Sequence, residues 1–386
     1  MSWQTVTIEK IKADVPYACV GGPFGSELTT RDYVEEGVPV IRGSNLPMDR
    51  SFVDDNFVFV SEQKANALTS NIAHPGDVIF TQRGTLGQVG LIPEDATFDR
   101  YVVSQSQMKL TVDKAKASPL FVYYYFRQPA VAAMIKGRAI TSGVPHINLG
   151  ILKNFELVMP PVQDQLRIAT FLAEIDRAIE NNRRRIELLE QSARLLYKEW
   201  FVHLRFPGHE HVKVVHGVPN GWSKVSLGQS VVLNYGKALR ADQRIDGPYP
   251  VFGSSGIVGA HETAMVKGPA IILGRKGNVG SVFWSPKDFW PIDTVYFVDP
   301  ERSDLYLYYA LQQMQFISTD VAVPGLNRDF ACSRPLLIPR SSLVTEFLDY
   351  VVPIHEQITR LGEFNAKLVA ARDLLLPRLM SGEIEV

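Results

Sequence analysis

Two short loops carry arginine, lysine, amide and hydroxyl side chains around a glycine, at matched places in the two halves of the chain. The first loop, residues 81–85 (TQRGT), follows the apolar run Val78–Phe80, and the second covers residues 275–278 (RKGN). Arginine and side-chain amides pair with guanine and adenine in the major groove of DNA, and a neighbouring glycine lets the backbone approach a phosphate. We predict DNA contacts at Gln82, Arg83, Thr85, Arg275, Lys276 and Asn278. The alternative, a surface turn with solvated basic side chains, stays open for both loops.

A second pair of matched segments contributes one arginine each. Residues 138–148 and 323–329 share the pattern Val-Pro-x-x-Asn. Arg138 and Arg328 lie in these segments and are also predicted to contact DNA. We interpret Asn148 and Asn327 as structural caps, because an asparagine side chain readily accepts a hydrogen bond from a nearby backbone N–H.

The motifs of the expected nucleic-acid enzymes are missing from the sequence. A DNA methyltransferase needs a glycine-rich cofactor loop and an Asn/Asp-Pro-Pro-aromatic loop. The single Pro-Pro pair, Pro160-Pro161, follows Met159 and precedes Val162, so it fits neither end of that pattern. No phosphate-binding loop and no metal-ligand spacing is present either. The sequence therefore predicts a binding protein and not an enzyme, with no metal site.

Composition indicates ordinary globular material. The chain has 386 residues, 46% hydrophobic and 21% charged, with a net charge of −1. The bulk charge does not indicate nucleic acid, so a DNA-binding hypothesis depends on local arginines and lysines. Cys19 and Cys332 are too few for a disulfide framework. With no signal-like start (MSWQTVTIEK) and no apolar run of roughly 18 residues, we expect a cytoplasmic protein.

The elements that must position these loops include two long helices. Apolar residues alternate spacings of four and three from Ile168 to Trp200, and again from Phe347 to Leu379. This heptad period is typical of helices that bury one narrow stripe against each other. Asn182 and Asn365 are polar residues within the two heptad patterns and either fix the register or face a partner. The residues predicted to pair are Ile168, Leu172, Ile175, Ile179, Asn182, Ile186, Leu189, Leu196, Ile354, Ile358, Leu361, Asn365, Leu368 and Leu375.

The second half of the chain repeats the first. Short matches occur in the same order in both halves, from the strings after Trp3 and Trp222 to the two helices, and this common order indicates an internal duplication. We predict an α+β protein with two mixed α/β domains joined by two long antiparallel coiled-coil helices, related by a pseudo-two-fold repeat. The predicted boundaries are 1–158 for the first domain, 159–205 for the first helix, 206–338 for the linker and second domain, and 339–386 for the second helix.

In this arrangement the chain resembles the specificity subunit of type I restriction–modification systems, and the domains resemble target-recognition domains. The resemblance covers the whole chain. Pro353 lies inside the second heptad pattern, which predicts a kink or a restart of that helix. The residues that carry the resemblance are Gly22-Pro-Phe-Gly-Ser26, Gly76-Asp-Val-Ile, Arg83-Gly, Pro160-Pro161, Gln165, Lys198-Glu-Trp-Phe201, Arg205-Phe-Pro-Gly-His-Glu210 and Leu375-Leu-Pro-Arg-Leu-Met-Ser-Gly-Glu383.

The resemblance implies the following function. Each domain would read one half of a bipartite, asymmetric target in double-stranded DNA, and the helices would act as a ruler between them. Two methyltransferase subunits and restriction/translocase subunits would be partners, with no membrane involved. S-adenosylmethionine, ATP and Mg²⁺ would bind those partners, and this chain would bind no cofactor. Two alternatives remain open: a non-DNA scaffold with duplicated ligand-binding domains, or a nuclease with diverged motifs.

Overall fold

Two helices are much longer than every other element in the described part of the chain, and each contributes to both of its compact units. The computed structural model describes residues 3–141, 143–316 and 325–386. Unit 1 consists of Met1–Asn182 and Phe364–Val386, and unit 2 consists of Arg183–Glu363. Each unit therefore combines one mixed domain with a portion of both long helices.

The strands of unit 1 are short and are separated by turns. They are β1 (Gln4–Thr7), β2 (Cys19–Gly21), β3 (Tyr33–Val34), β4 (Val38–Ile41), β5 (Val58–Val60), β6 (Ile72–Ala73), β7 (Val78–Thr81), β8 (Val89–Leu91), β9 (Tyr101–Val103), β10 (Gln107–Leu110) and β11 (Glu156–Met159). The helices are α1 (Ile8–Ile11), α2 (Glu62–Ala67), α3 (Pro119–Arg127), α4 (Pro129–Gly137), α5 (Leu149–Lys153) and the 36-residue α6 (Val162–Tyr197).

Two sheets build the domain of unit 1. One has the order β2-β10-β7-β8, the other has the order β3-β5-β4-β9-β6, and β1 pairs separately with β11. Helix α3 covers the first sheet, where the Phe80 and Phe126 rings meet edge to face at 4.8 Å. Its aromatic side chains are buried except for the half-buried Tyr125, so this tyrosine-rich segment is part of the core.

Unit 2 repeats part of this set of elements and adds the hairpin β12–β13. Its strands are β12 (Val214–Val215), β13 (Val218–Pro219), β14 (Ser223–Ser226), β15 (Leu233–Tyr235), β16 (Tyr249–Gly253), β17 (Gly256–His261), β18 (Ala270–Gly274), β19 (Val282–Ser285), β20 (Trp290–Pro291), β21 (Val295–Val298) and β22 (Pro335–Ile338). The helices are α7 (Leu227–Ser230), α8 (Leu305–Gln313), α9 (Arg328–Ser333) and the 40-residue α10 (Ser341–Met380).

The strand order confirms the predicted duplication. The sheet β15-β21-β18-β19 repeats the order β2-β10-β7-β8, and the pair β14–β22 repeats the pair β1–β11. The parallel pairing of β16 with β20 likewise matches that of β4 with β9. The internal repeat inferred from short sequence matches is therefore a repeat of topology.

Within unit 1, the start of α6 packs antiparallel on the end of α10. Asp176 bonds Arg372, and Asn182 donates to Asn365 at 2.9 Å, so rising numbers in one helix meet falling numbers in the other. Asn365 in turn donates to the Ile179 carbonyl at 3.1 Å. The two asparagines thus contact each other, which favours their interpretation as register-fixing residues over a partner-facing one.

Within unit 2, the end of α6 packs antiparallel on the start of α10 through aromatic rings. Tyr197 and Trp200 both contact Phe347, at centroid distances of 5.9 and 6.0 Å. The predicted antiparallel helix pair is confirmed. Of the residues predicted to pair, Ile168, Leu172, Ile179 and Asn182 are buried and the others are half-buried. Helix α10 runs without a break through Pro353, so a restart there is wrong. Val351 and Ile354, on either side of the proline, pack into the core of unit 2, and this packing outweighs the helix-breaking tendency of proline.

A buried glutamine attaches the domain of unit 1 to its helix. Gln165 accepts a hydrogen bond from the Ser118 N–H at 3.0 Å and donates to the Pro160 carbonyl at 2.8 Å. The start of α3 and the start of α6 are therefore joined by one side chain. The equivalent position in α10, 179 residues later, is Val344, which cannot form these bonds.

Candidate nucleic-acid interface

The loop between β7 and β8 carries the first predicted contact residues. The backbone N–H groups of Gln82 and Arg83 both donate to the Ser106 carbonyl, at 2.7 and 3.3 Å. Gly84 has a positive φ of 96°, a conformation that suits glycine. Arg83 and Thr85 are exposed and Gln82 is half-buried. The backbone is thus fixed while the polar side chains face outward.

The loop between β18 and β19 repeats these two backbone hydrogen bonds and the positive φ of the glycine. Here Arg275 and Lys276 donate from their N–H groups to the Thr294 carbonyl, at 2.9 and 3.1 Å. Gly277 has a positive φ of 78°. Positions 82, 83 and 85 therefore correspond to 275, 276 and 278, as the sequence match predicted. The two loops share a backbone and differ in side chains.

The second pair of matched segments joins the first pair. The Ile147 N–H donates to the Gln82 carbonyl at 3.1 Å, and the Leu326 N–H donates to the Arg275 carbonyl at 2.8 Å. Bridges between Arg83 and His146 and between Lys276 and Gly325 extend these contacts. Sequence reasoning treated the segments separately, because nothing local indicates this pairing. Ser142, Val323 and Pro324 lie outside the described residues.

In unit 1 these segments border a shallow cleft of about 510 Å³. It is lined by Arg83, Gly84, Ser106, Val144 and His146. Arg138 is exposed at the end of α4, and its guanidinium lies 4.7 Å from the Phe155 ring centroid. It therefore packs on the domain beside the segment and does not line the cleft.

In unit 2 an exposed tyrosine organises the predicted arginines. The guanidiniums of Arg275 and Arg328 lie 5.0 and 5.6 Å from the ring centroid of Tyr235, whose exposed fraction is 48%. Cation–π contacts of this kind hold cationic groups over an aromatic face. Sequence reasoning missed Tyr235; its position at the end of a strand, directly before Gly236, was the available signal.

The remaining predicted side chains of the second loop have neighbours within the unit. Lys276 lies 3.7 Å from Asp293, both half-exposed, and Asn278 donates to the Ser255 hydroxyl at 3.1 Å. An exposed ion pair is weak and readily exchanged for another partner. Lys276 can therefore exchange Asp293 for a phosphate at little cost.

The asparagines of the second matched pair have the capping role that we inferred. Asn148 accepts from the Ile151 N–H at 2.8 Å, and Asn327 accepts from the Phe330 N–H at 3.1 Å. They begin α5 and α9 respectively. Both helix starts thus follow directly from the bridged segments.

Two copies of one mixed domain, each presenting a fixed loop with basic and amide side chains and each built on paired long helices, define a duplicated recognition protein. The profile of the type I restriction modification DNA specificity domain matches residues 28–191 and 219–330. These matches cover more than half of the chain, and the chain belongs to this family. It is a non-catalytic, DNA-recognition subunit, as the sequence predicted.

Similar proteins agree with this assignment. The chain is 22% identical to the type I restriction enzyme MjaIX specificity subunit of Methanocaldococcus jannaschii, over 85% of this chain and 82% of that protein. It is 23% identical to the HindI specificity subunit of Haemophilus influenzae, over 80% and 86% respectively. A solved type I S subunit from M. genitalium has a similar fold, with a TM-score of 0.61 at 17% identity and coverage of 98% and 96%.

The described part of the chain offers neither a cluster of metal ligands nor a helix that could span a membrane. Residues 3–141, 143–316 and 325–386 contain no group of three histidine, cysteine, aspartate or glutamate side chains placed to hold a metal ion. Over the same ranges, each helix is too short or too polar to cross a bilayer.

Proposed function

We propose that each domain reads one half of a split DNA target through its Arg83-type or Arg275-type loop. The supporting observation is that the two loops repeat the same backbone hydrogen bonds with different side chains. Equivalent backbones would approach DNA in equivalent ways. Different side chains, glutamine–arginine against arginine–lysine, would then select different bases. The target is therefore asymmetric as well as bipartite.

We also propose that α6 and α10 act as the ruler between the two half-sites. At 1.5 Å per residue, a helix of 36 residues is roughly 54 Å long. Half-sites one turn of DNA apart are separated by roughly 34–36 Å. A stiff helix pair of this length, less its overlap with the domains, suits such a spacing. The bases between the half-sites would be unread.

The helices would also bind two copies of one partner. Exposed apolar side chains recur at equivalent positions of the two helices: Phe171 with Tyr350, and Leu195 with Leu374. Because the same exposed apolar positions occur in both helices, they indicate that the same protein contact is made twice. Those partners would be methyltransferase subunits carrying S-adenosylmethionine, with ATP- and Mg²⁺-dependent restriction subunits joining the complex in the cytoplasm.

Substitutions at these leucines test the docking proposal. Leu195→Lys and Leu374→Lys should each reduce methyltransferase occupancy from two copies to one, and the double variant should bind none, as measured by native mass spectrometry. Leu188 is a matched control, because it is equally exposed and its equivalent is Lys367. Full occupancy in the double variant would exclude this surface.

DNA recognition is tested with the assembled complex. Arg83→Ala and Arg275→Ala should each weaken binding to one half-site by about 1–3 kcal/mol, and affinity should fall steeply with salt because phosphate contacts release counterions. Lys114→Ala is the control, since Lys114 is exposed beyond the far end of the same sheet. Unchanged affinity in both arginine variants, or a flat salt response, would contradict the proposal. DNA cleavage by the isolated chain with Mg²⁺ would instead indicate a nuclease.

A further inference from the structure

Phe24 is the most exposed large apolar side chain among the described residues, with an exposed fraction of 83%. It lies in the loop that follows β2, within residues 22–28. An isolated exposed phenylalanine needs no explanation on a mobile loop. Here, however, the loop is held in place.

Hydrogen bonds fix the backbone on both sides of Phe24. The Phe24 N–H donates to the Glu27 carboxylate at 2.7 Å, and the Glu27 N–H donates back to the Phe24 carbonyl at 3.0 Å. The Gln105 amide donates to the carbonyls of Gly25 and Leu28. At Gly22 a Cβ atom would lie 1.9 Å from the Ser104 carbonyl oxygen, so only glycine allows this approach. The aromatic ring is therefore presented outward by a fixed loop.

This loop lies beside the candidate DNA contacts. Strands β2 and β7 both pair antiparallel with β10, so both end at the same edge of the sheet. A Cβ atom on Gly21 would lie only 3.3 Å from the Gln82 side-chain oxygen. Phe24 is thus a neighbour of the loop that carries Gln82 and Arg83.

The second domain has different chemistry at the same place. The Gly236 N–H donates to the Val295 carbonyl as the Gly22 N–H donates to the Gln107 carbonyl, so the two loops start equivalently. The residues that follow Gly236 are KALR, with Lys237 and Arg240 exposed. In place of a free aromatic ring the second domain thus carries two cations, and its own exposed aromatic residue, Tyr235, is covered by the guanidiniums of Arg275 and Arg328.

We propose that Phe24 inserts at a base step of the DNA next to the bases contacted by the Arg83 loop. An apolar side chain inserted at a base step unstacks the bases and kinks the duplex, as wedges of minor-groove proteins do. Phe24 would make this insertion from the side of the Arg83 loop, and its fixed loop does not have to become ordered first. Lys237 and Arg240 contact phosphates in the other half-site, and leave its bases stacked. This inference rests on the proposed function, and it predicts that only one half-site is distorted.

The test uses the complex assembled with its methyltransferase subunits. Its target is a short duplex whose sequence is taken from the methylome of a host carrying the gene. 2-Aminopurine is placed at successive positions other than the methylated adenines, because flipping of those bases would raise the fluorescence independently. Native complex should raise the fluorescence several-fold at one step, in the half-site that Arg83→Ala weakens. Phe24→Ala should abolish this rise and weaken binding roughly ten-fold, the scale of one lost aromatic–base stack.

Two further variants complete the experiment. Phe24→Trp should keep the rise, and Tyr17→Ala should leave it unchanged, because Tyr17 is an exposed aromatic residue at the opposite end of β2. A fluorescence rise that survives Phe24→Ala overturns the insertion of Phe24 and leaves the proposed function intact. The same holds if native complex binds the target without any fluorescence rise. Loss of methyltransferase subunits from the Phe24→Ala complex would also overturn the insertion, since the ring would then contact protein. Failure of native complex to bind the target overturns the proposed function itself.

Discussion

The junction between domain and helices is built from different residues in the two units, and this difference can be tested by transplanting one junction into the other. In unit 1, the Tyr124 hydroxyl donates to Asp176 at 2.7 Å, and Arg372 bonds the other carboxylate oxygen at 2.7 Å. In unit 2, Tyr309 bonds His355 at 2.7 Å. His355 is the equivalent of Asp176, and the equivalent of Arg372 is Ala193.

Removing Arg372 alone should therefore be costly, and converting the whole junction should be less so. Arg372 has an exposed fraction of 6%. Deleting one member of a buried ion pair costs about 3–5 kcal/mol, because the other charge stays buried without its partner. Asp176 is only half-buried, with 25% of its side chain exposed, and it keeps the Tyr124 hydroxyl as a donor. Arg372→Ala should therefore cost less than a fully buried pair, about 2–3 kcal/mol. Adding Asp176→His recreates the neutral tyrosine–histidine pair of unit 2, which needs no cation, and should recover at least about 1 kcal/mol, a coupling typical of residues in one network.

Urea unfolding of the full chain, followed by circular dichroism, measures these differences. Asp373→Asn is the matched control: Asp373 also bonds Arg372, at 2.8 Å, but is largely exposed, so its loss should have little effect. The reasoning fails if the double variant is as unstable as Arg372→Ala alone. It also fails if the control costs as much as either.

Further predictions concern stability. Burial lowers the pKa of His355 to about 4 from 6.5, so the folded state binds fewer protons than the unfolded state between these values. The free energy of unfolding should thus fall by about 3 kcal/mol as the pH drops from 6.5 to 4. His355→Gln, which keeps an acceptor for Tyr309, should show a smaller fall in the same urea titrations. An equal dependence of stability on pH in both proteins would contradict this. Leu172→Ala should cost about 2–5 kcal/mol in urea unfolding because Leu172 is fully buried. Leu189→Ala should cost less because that side chain is half-buried, and a cost equal to that of Leu172→Ala would contradict the packing.

The large-scale organisation could be predicted because it depends on the order of segments along the chain and on the spacing of apolar residues. The heptad spacing from Ile168 to Trp200 survives any change in surface residues, and it predicted that the two helices pair. Their antiparallel direction followed from the order of domains and helices along the chain and from the short linker between them. The matched strings after Trp3 and Trp222 predicted a repeat that the strand order then confirmed. The place of the loops after strands was also predictable, since Val78–Phe80 reads as a buried strand.

The details of the site depend on contacts between distant residues, which a single sequence does not display. The bridge between Arg83 and His146 joins segments more than sixty residues apart. Nothing near Tyr235 indicates that two arginines lie over its ring. Pro353 shows the opposite error: its local helix-breaking tendency is real, but the packing of α10 on both sides outweighs it.

The two hydrogen bonds of Gln165, which join the domain of unit 1 to α6, have a consequence for how such proteins diversify. A foreign first domain, grafted ahead of Pro160, must present a free amide hydrogen at the place of Ser118, or Gln165 is left buried with an unsatisfied oxygen. The second domain imposes no such condition, because the Val344 side chain has no hydrogen-bonding group and needs only apolar neighbours. Chimeras should therefore tolerate replacement of the second domain more readily than replacement of the first.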